Sequence, residues 1–217
     1  MARHTGTVLV AAVLLAGCTS AAEDGGSRAA GGAAGRTASP SASASPGPAA
    51  AARGGSVGGA GSPCALPVSF ATAKDWVPKK VTRPGEPELA DLVEQGTVEV
   101  VCEIDAKPAG NIGFLRVWTG ARTDSASPRE VLEAFLADEK KTGGVRYRET
   151  KAGALAATEV TYTVTNELLD ETKDERAFAV RTARGPVIVH LGGLDSQEHA
   201  QMLPAYELAK SSLTLTP

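Results

Sequence analysis

Apolar residues recur with a period of two through much of the chain beyond residue 64. Val98, Val100, Cys102 and Ile104 alternate with Glu99 and Glu103, which predicts a half-buried strand over Thr97–Ile104. Asn111–Thr119 is apolar on both faces and reads as a central strand. Further strands are predicted at Val145–Glu149, Thr158–Thr165, Ala177–Thr182 and Pro186–Leu191, with Arg184-Gly185 as a tight turn between the last two. A short strand at Val68–Ala71 precedes Asp75-Trp76.

Three segments carry helical spacing instead. Pro87–Glu94 brings Leu89, Leu92 and Val93 to one side and is closed by Gly96. Ser127-Pro128-Arg129-Glu130 is a capping box with proline at the first helical position. The helix it opens has Val131, Leu132, Phe135 and Leu136 inward, Lys140-Lys141 in its last turn and Gly143-Gly144 as its stop. Asp195-Ser196-Gln197-Glu198 opens a final helix with Met202, Leu203, Tyr206, Ala209 and Leu213, which Pro204 is expected to kink or interrupt. Consecutive strands with short turns and few helices predict an α+β domain, an antiparallel β-sheet covered by helices, not alternating βαβ units.

The first residues follow a different rule. Met1-Ala2-Arg3-His4 is a short cationic start, and Val8–Leu15 is an apolar run. That run is about half the roughly 20 residues needed to cross a bilayer as a helix. Leu15-Ala16-Gly17-Cys18 resembles the lipobox of bacterial lipoproteins. The resemblance implies cleavage after residue 17, a diacylglycerol thioether on Cys18 with further acylation such as palmitate, and a mature chain held on the outer side of the cell membrane. An ordinary secretory signal is the plainer alternative. Two or more acyl chains make a stable anchor, at roughly 0.8 kcal/mol per buried methylene.

Composition then divides the chain. Residues 19–63 hold 37 Ala, Gly, Ser or Pro out of 45 and no aromatic, so they cannot bury enough apolar surface to order themselves. As a coil they would span about 35–40 Å. All nine aromatic residues follow Pro63. The expected organisation is a signal peptide at 1–17, a lipidated cysteine and tether at 18–63, and a globular domain at 64–217. That domain carries 18 Lys+Arg and 23 Asp+Glu, which argues against a nucleic-acid partner.

The strand before Trp76, the helix-bearing segment, the meander and the closing helix together resemble the Mog1/PsbP-type α/β/α sandwich. Lipidated actinobacterial proteins of the LpqN sort are similar in plan, and the Ala/Gly/Arg-rich composition fits that source. The resemblance spans most of residues 66–215. It implies a binding or accessory role in the envelope, with no catalytic constellation to carry over.

With Cys18 assigned to lipid, Cys64 and Cys102 form an even pair in an exported domain, and a disulfide between them is expected. A redox pair is the rival, without a Cys-x-x-Cys spacing to support it. No His-Glu-x-x-His, phosphate loop or calcium loop occurs. His190 reads as a strand-end residue and His199 as a surface helix residue, with an acid/base pair or two-His metal site as the sharper alternative. Asn166–Arg176 reads as a charged hairpin loop, with divalent-cation capture or a basic partner as the sharper alternatives, and Lys79, Lys80 and Arg83 as a wet edge or a contact for anionic groups. Phe114, Arg116 and Trp118 share one strand face, a ligand cradle or a packed cation–π cluster. If a pocket exists, it is sought among Arg116, Trp118, His190 and Tyr206, under the last helix.

The function expected is a non-enzymatic, membrane-anchored binding or accessory module, needing no cofactor or metal, with an envelope protein, lipid or wall glycan as partner. A small-molecule or lipid carrier with a pocket between sheet and last helix is the alternative, and a carboxylate-pair wall hydrolase is third.

Overall fold

A computed structural model of the chain describes residues 50–217 apart from Leu168. The strands are β1 (Arg53–Val57), β2 (Val68–Ala73), β3 (Val77–Lys80), β4 (Glu94–Gln95), β5 (Val98–Asp105), β6 (Gly113–Gly120), β7 (Thr142–Ala152), β8 (Leu155–Asn166), β9 (Glu171–Thr182), β10 (Gly185–Gly193) and β11 (Thr214–Leu215). Two α-helices join them, α1 (Pro128–Ala137) and α2 (Ser196–Ser211). The main sheet is antiparallel, in the order β3-β5-β6-β10-β9-β8-β7, with β4 alongside β5. A smaller antiparallel sheet, β1-β2-β11, lies with α2 on one face, and α1 lies on the other. The expected α+β architecture of antiparallel sheet and covering helices is therefore present.

Strand β10 separates two cores. Val187, Val189 and Leu191 point towards α2, where they meet Phe178, Met202, Tyr206 and Leu213. Ile188 and His190 point towards α1, among Trp118, Val160, Val131, Leu132 and Phe135. Helix α1 starts on the capping box seen in sequence, with Ser127 Oγ accepting from the Glu130 N–H and Glu130 reaching back. On the opposite face Glu159 is buried under α2, where Oε1 accepts from Lys210 Nζ (2.7 Å) and Tyr206 OH (3.0 Å) and Oε2 from Arg148 Nη2 (2.5 Å). Burial pushes its carboxyl up, but Lys210 and Arg148 outweigh that and hold it below the ordinary value.

Several sequence expectations are corrected. The folded unit begins at β1, not at Cys64. Segment Arg53–Val57 lacks aromatics because its glycines serve close approach: a Cβ at Gly58 would stand 1.8 Å from the Val68 carbonyl oxygen, and one at Gly54 would stand 2.7 Å from that of Ala73. Pro87–Leu92 is a 3₁₀ helix with Leu89 and Leu92 exposed, so only Val93 of that group enters the core. Helix α1 ends at Ala137, and Lys141 takes a left-handed conformation (φ 57°) instead of joining the last turn. Asn166–Arg176 is not a loop; β8 and β9 pair as far as Asn166 opposite Glu171. Helix α2 runs through Pro204 without interruption. Its His199 is buried, not a surface residue.

Cys64 and Cys102 are bonded, with Cα atoms 5.9 Å apart, which ties the segment after β1 to β5, next to the β3 edge of the main sheet. The bond closes a separation of 38 residues, for which loop-closure entropy gives about 3–4 kcal/mol. Urea unfolding with and without reductant is expected to differ by that amount. Gly153, in the turn between β7 and β8, has φ +54°, and its N–H donates to the Lys210 carbonyl (2.8 Å). A Cβ there would lie 1.9 Å from the Leu213 carbonyl oxygen, so Gly153→Ala is expected to lower stability by about 2 kcal/mol or more, read from the thermal midpoint.

Candidate functional site

Helix α1 has ten residues, or about 15 Å of length, and leaves part of its sheet face uncovered. The uncovered part is a cleft of about 430 Å³ whose lining includes Glu103, Arg116, Trp118, Glu139, Glu175 and His190. Antiparallel register builds it. Glu103 on β5 faces Arg116 on β6, and Arg116 faces His190 on β10, so three polar side chains stand in one cross-strand row.

Arg116 Nε donates to Glu103 Oε1 at 2.7 Å, and its guanidinium carbon lies 5.0 Å from the Phe114 ring centroid. The pair is about one-third exposed, and the two Nη groups make no hydrogen bond among the described residues. His190 Nε2 lies 2.7 Å from Glu175 Oε2 and 3.2 Å from Tyr162 OH, while Lys173 Nζ sits 2.7 Å from Glu175 Oε1. Gly192 leaves room for this carboxylate, since a Cβ there would stand 3.3 Å from Glu175 Oε2. Burial pushes the Glu175 carboxyl up; His190 and Lys173 outweigh it and keep the group below the ordinary carboxylate range. The ionised carboxylate accepts the Nε2 proton, which leaves Nδ1 of His190 without a partner among the described residues. Burial pushes the Tyr162 hydroxyl up, so it stays protonated.

Of the four residues sought as a pocket, Arg116, Trp118 and His190 meet in this cleft. Tyr206 does not. It belongs to the opposite face, packed against Phe178 and bonded to Glu159. Under the middle of the last helix the space is filled by Met202, Ala205, Tyr206 and Ala209, all buried; an opening of about 420 Å³ between sheet and helix remains at its first turns, among Arg176, His199 and Leu203, without Tyr206. His190 and His199 also part company, His199 being a buried residue of the first turn of α2. Glu103, Lys173, Glu175 and Tyr162 were not foreseen in sequence. Extending β9 back to Glu171 would have placed Lys173 and Glu175 on the face of Ala177, and Tyr162 opposite Glu175. Cys18, the residues expected as signal peptide and most of the expected tether lie outside the described residues. No described helix is long and apolar enough to cross a membrane.

The fold is thus that of an antiparallel α+β sandwich with a polar cleft beside its shorter helix. The chain belongs to the Lipoprotein_23 family, described as uncharacterised lipoprotein, which matches residues 34–213. No curated protein matches it. Among solved structures it is similar to LpqN of Mycobacterium tuberculosis, described as involved in cell envelope biogenesis: 14% identity, TM-score 0.40, 73% of this chain and 88% of that one covered. It is also similar to the PsbP protein CyanoP of Synechocystis sp. PCC 6803: 13% identity, TM-score 0.47, 69% and 87% covered.

The buried histidine sets a pH dependence. Burial holds His199 below its ordinary value, with Glu175 acting against that and Arg176 adding to it. A histidine kept neutral in the fold gives stability that is complete above its unfolded value, about 6.5, and is lost as the pH falls from there through the lower folded value. Glu175 adds a loss further down, as acid titrates a carboxylate held low. Thermal midpoints are expected to fall from about pH 6.5 downwards, and less so in His199→Gln.

Proposed function

We propose that this lipoprotein is a non-enzymatic binding module held on the extracytoplasmic face of the cell membrane through Cys18, with the cleft beside α1 as its ligand site. The observation that supports a ligand site is the cleft's state of charge. Glu103 and Glu175 on the strands are each engaged by a cation and Glu139 is in no ion pair among the described residues, whereas Nη of Arg116 makes no hydrogen bond there and is partly exposed. A polar ligand with an acidic group can take that edge of the guanidinium in the paired geometry arginine favours. Trp118 and Val93 supply the apolar part of the wall. Residues 19–49, rich in Ala, Gly, Ser and Pro, keep such a module near partners in the same membrane at high effective concentration.

Growth with a clickable palmitate analogue tests the anchor: label and membrane retention are expected in the native chain, and Cys18→Ala is expected to lose both. Native mass spectrometry of protein released gently from membranes tests the cleft. A bound small molecule is expected on the native chain and at least about ten-fold less of it on Arg116→Ala, whose cost matches a lost charged hydrogen bond. Equal loading of the two chains, or none on either, removes the cleft from the function.

A further inference from the structure

A second surface lies at the end of the sheet where three connections meet. The segment between β5 and β6, the turn between β8 and β9, and the step from β10 into α2 all fall there, because Gly113 pairs with Gly193 and Asn166 with Glu171. Each connection presents one large aliphatic side chain to solvent: Ile112 (56% exposed), Leu169 (63%) and Leu194 (57%). The Leu194 N–H donates to the Ile112 carbonyl (3.0 Å), and Leu169 and Leu194 line one groove of about 550 Å³. Contiguous exposed aliphatics of this kind mark contact surfaces.

The groove has an acidic rim. Glu171 and Asp195 line it, Asp170 stands next to Leu169 in the same turn, and none of the three is in an ion pair among the described residues. Lys173 is already held by Glu175 and the Gly193 carbonyl, and Lys107 is the only cation in the three connections. This end is also where the described chain begins. Arg53 pairs with Ala73, the Lys74 N–H donates to the Ala52 carbonyl (2.7 Å), and Val77 of the next strand pairs with Asp105.

We propose that this end of the domain docks a basic, leucine-bearing segment of a protein held in the same membrane. The aliphatic groove takes the partner's apolar side chains and the carboxylate rim its lysines or arginines. The rim speaks against the lipid surface as occupant, since anionic headgroups repel carboxylates within a Debye length. The membrane location of the partner rests on the anchor proposed above; the chemistry of the groove does not.

The test uses the mature chain, residues 18–217, with Cys18→Ser so that it stays unacylated. Its probes are a synthetic amphipathic helix of leucine and lysine, the same peptide with glutamate for lysine, the same with serine for leucine, and phosphatidylglycerol vesicles. The leucine–lysine peptide is expected to bind at least about ten-fold more tightly than either altered peptide and to weaken with salt. Leu169→Ser/Leu194→Ser and Asp170→Lys/Glu171→Lys, checked for an unchanged thermal midpoint, are each expected to lose about ten-fold or more. Amide shifts should map to residues 112, 169 and 194. Equal binding of the three peptides, unchanged binding by either double variant, or vesicle binding as tight as the peptide's overturns the proposal. Palmitate labelling is unaffected by that outcome, so the two readings fail separately.

Discussion

Burial of β10 on both faces is the constraint from which the rest follows. A strand in that position must carry apolar side chains both ways, and Val187, Val189 and Leu191 do so towards α2, as Ile188 does towards α1. His190 is the exception. A polar ring in a strand so enclosed is tolerated only with a partner, and Glu175 and Tyr162 on neighbouring strands supply it. The cleft exists because that polar row continues through Arg116 to Glu103 beyond the reach of a short helix.

The two faces solve the same electrostatic problem differently. Glu159 is enclosed by α2 and saturated by Lys210, Tyr206 and Arg148, which makes it part of the packing. Glu175 is equally buried, but its cluster opens onto the cleft, and Arg116 beside it keeps donors in reserve. The difference comes from helix length. Sixteen residues of α2 cover their face, and ten residues of α1 do not cover theirs.

Strand periodicity and the capping box of α1 were legible in sequence because they are local. Ser127 and Glu130 meet by geometry within one turn, and Val98–Ile104 alternates whatever its neighbours do. What needed the fold was pairing across strands. Glu171–Arg176 is too charged to read as a strand on its own; it extends because β8 offers it a complete ladder. Strand β1 was missed for the converse reason: its Ala/Gly/Ser/Pro-rich composition matches the tether's, whereas its glycines answer a backbone held close by β2. Tyr206 was misplaced because the helical stripe tells which side faces inward, not which face of the sheet it meets.

The Cys64–Cys102 bond has a mechanical consequence. Tension on the chain ahead of Arg53 falls first on β1, a short outer strand carried largely by backbone hydrogen bonds to β2. Once β1 peels away, the sulfur bridge hands the load to β5, flanked on both sides by paired strands. Unravelling therefore halts seven residues past Val57, at a covalent stop, with the α1-side core behind it intact and the α2-side core deprived of Val57.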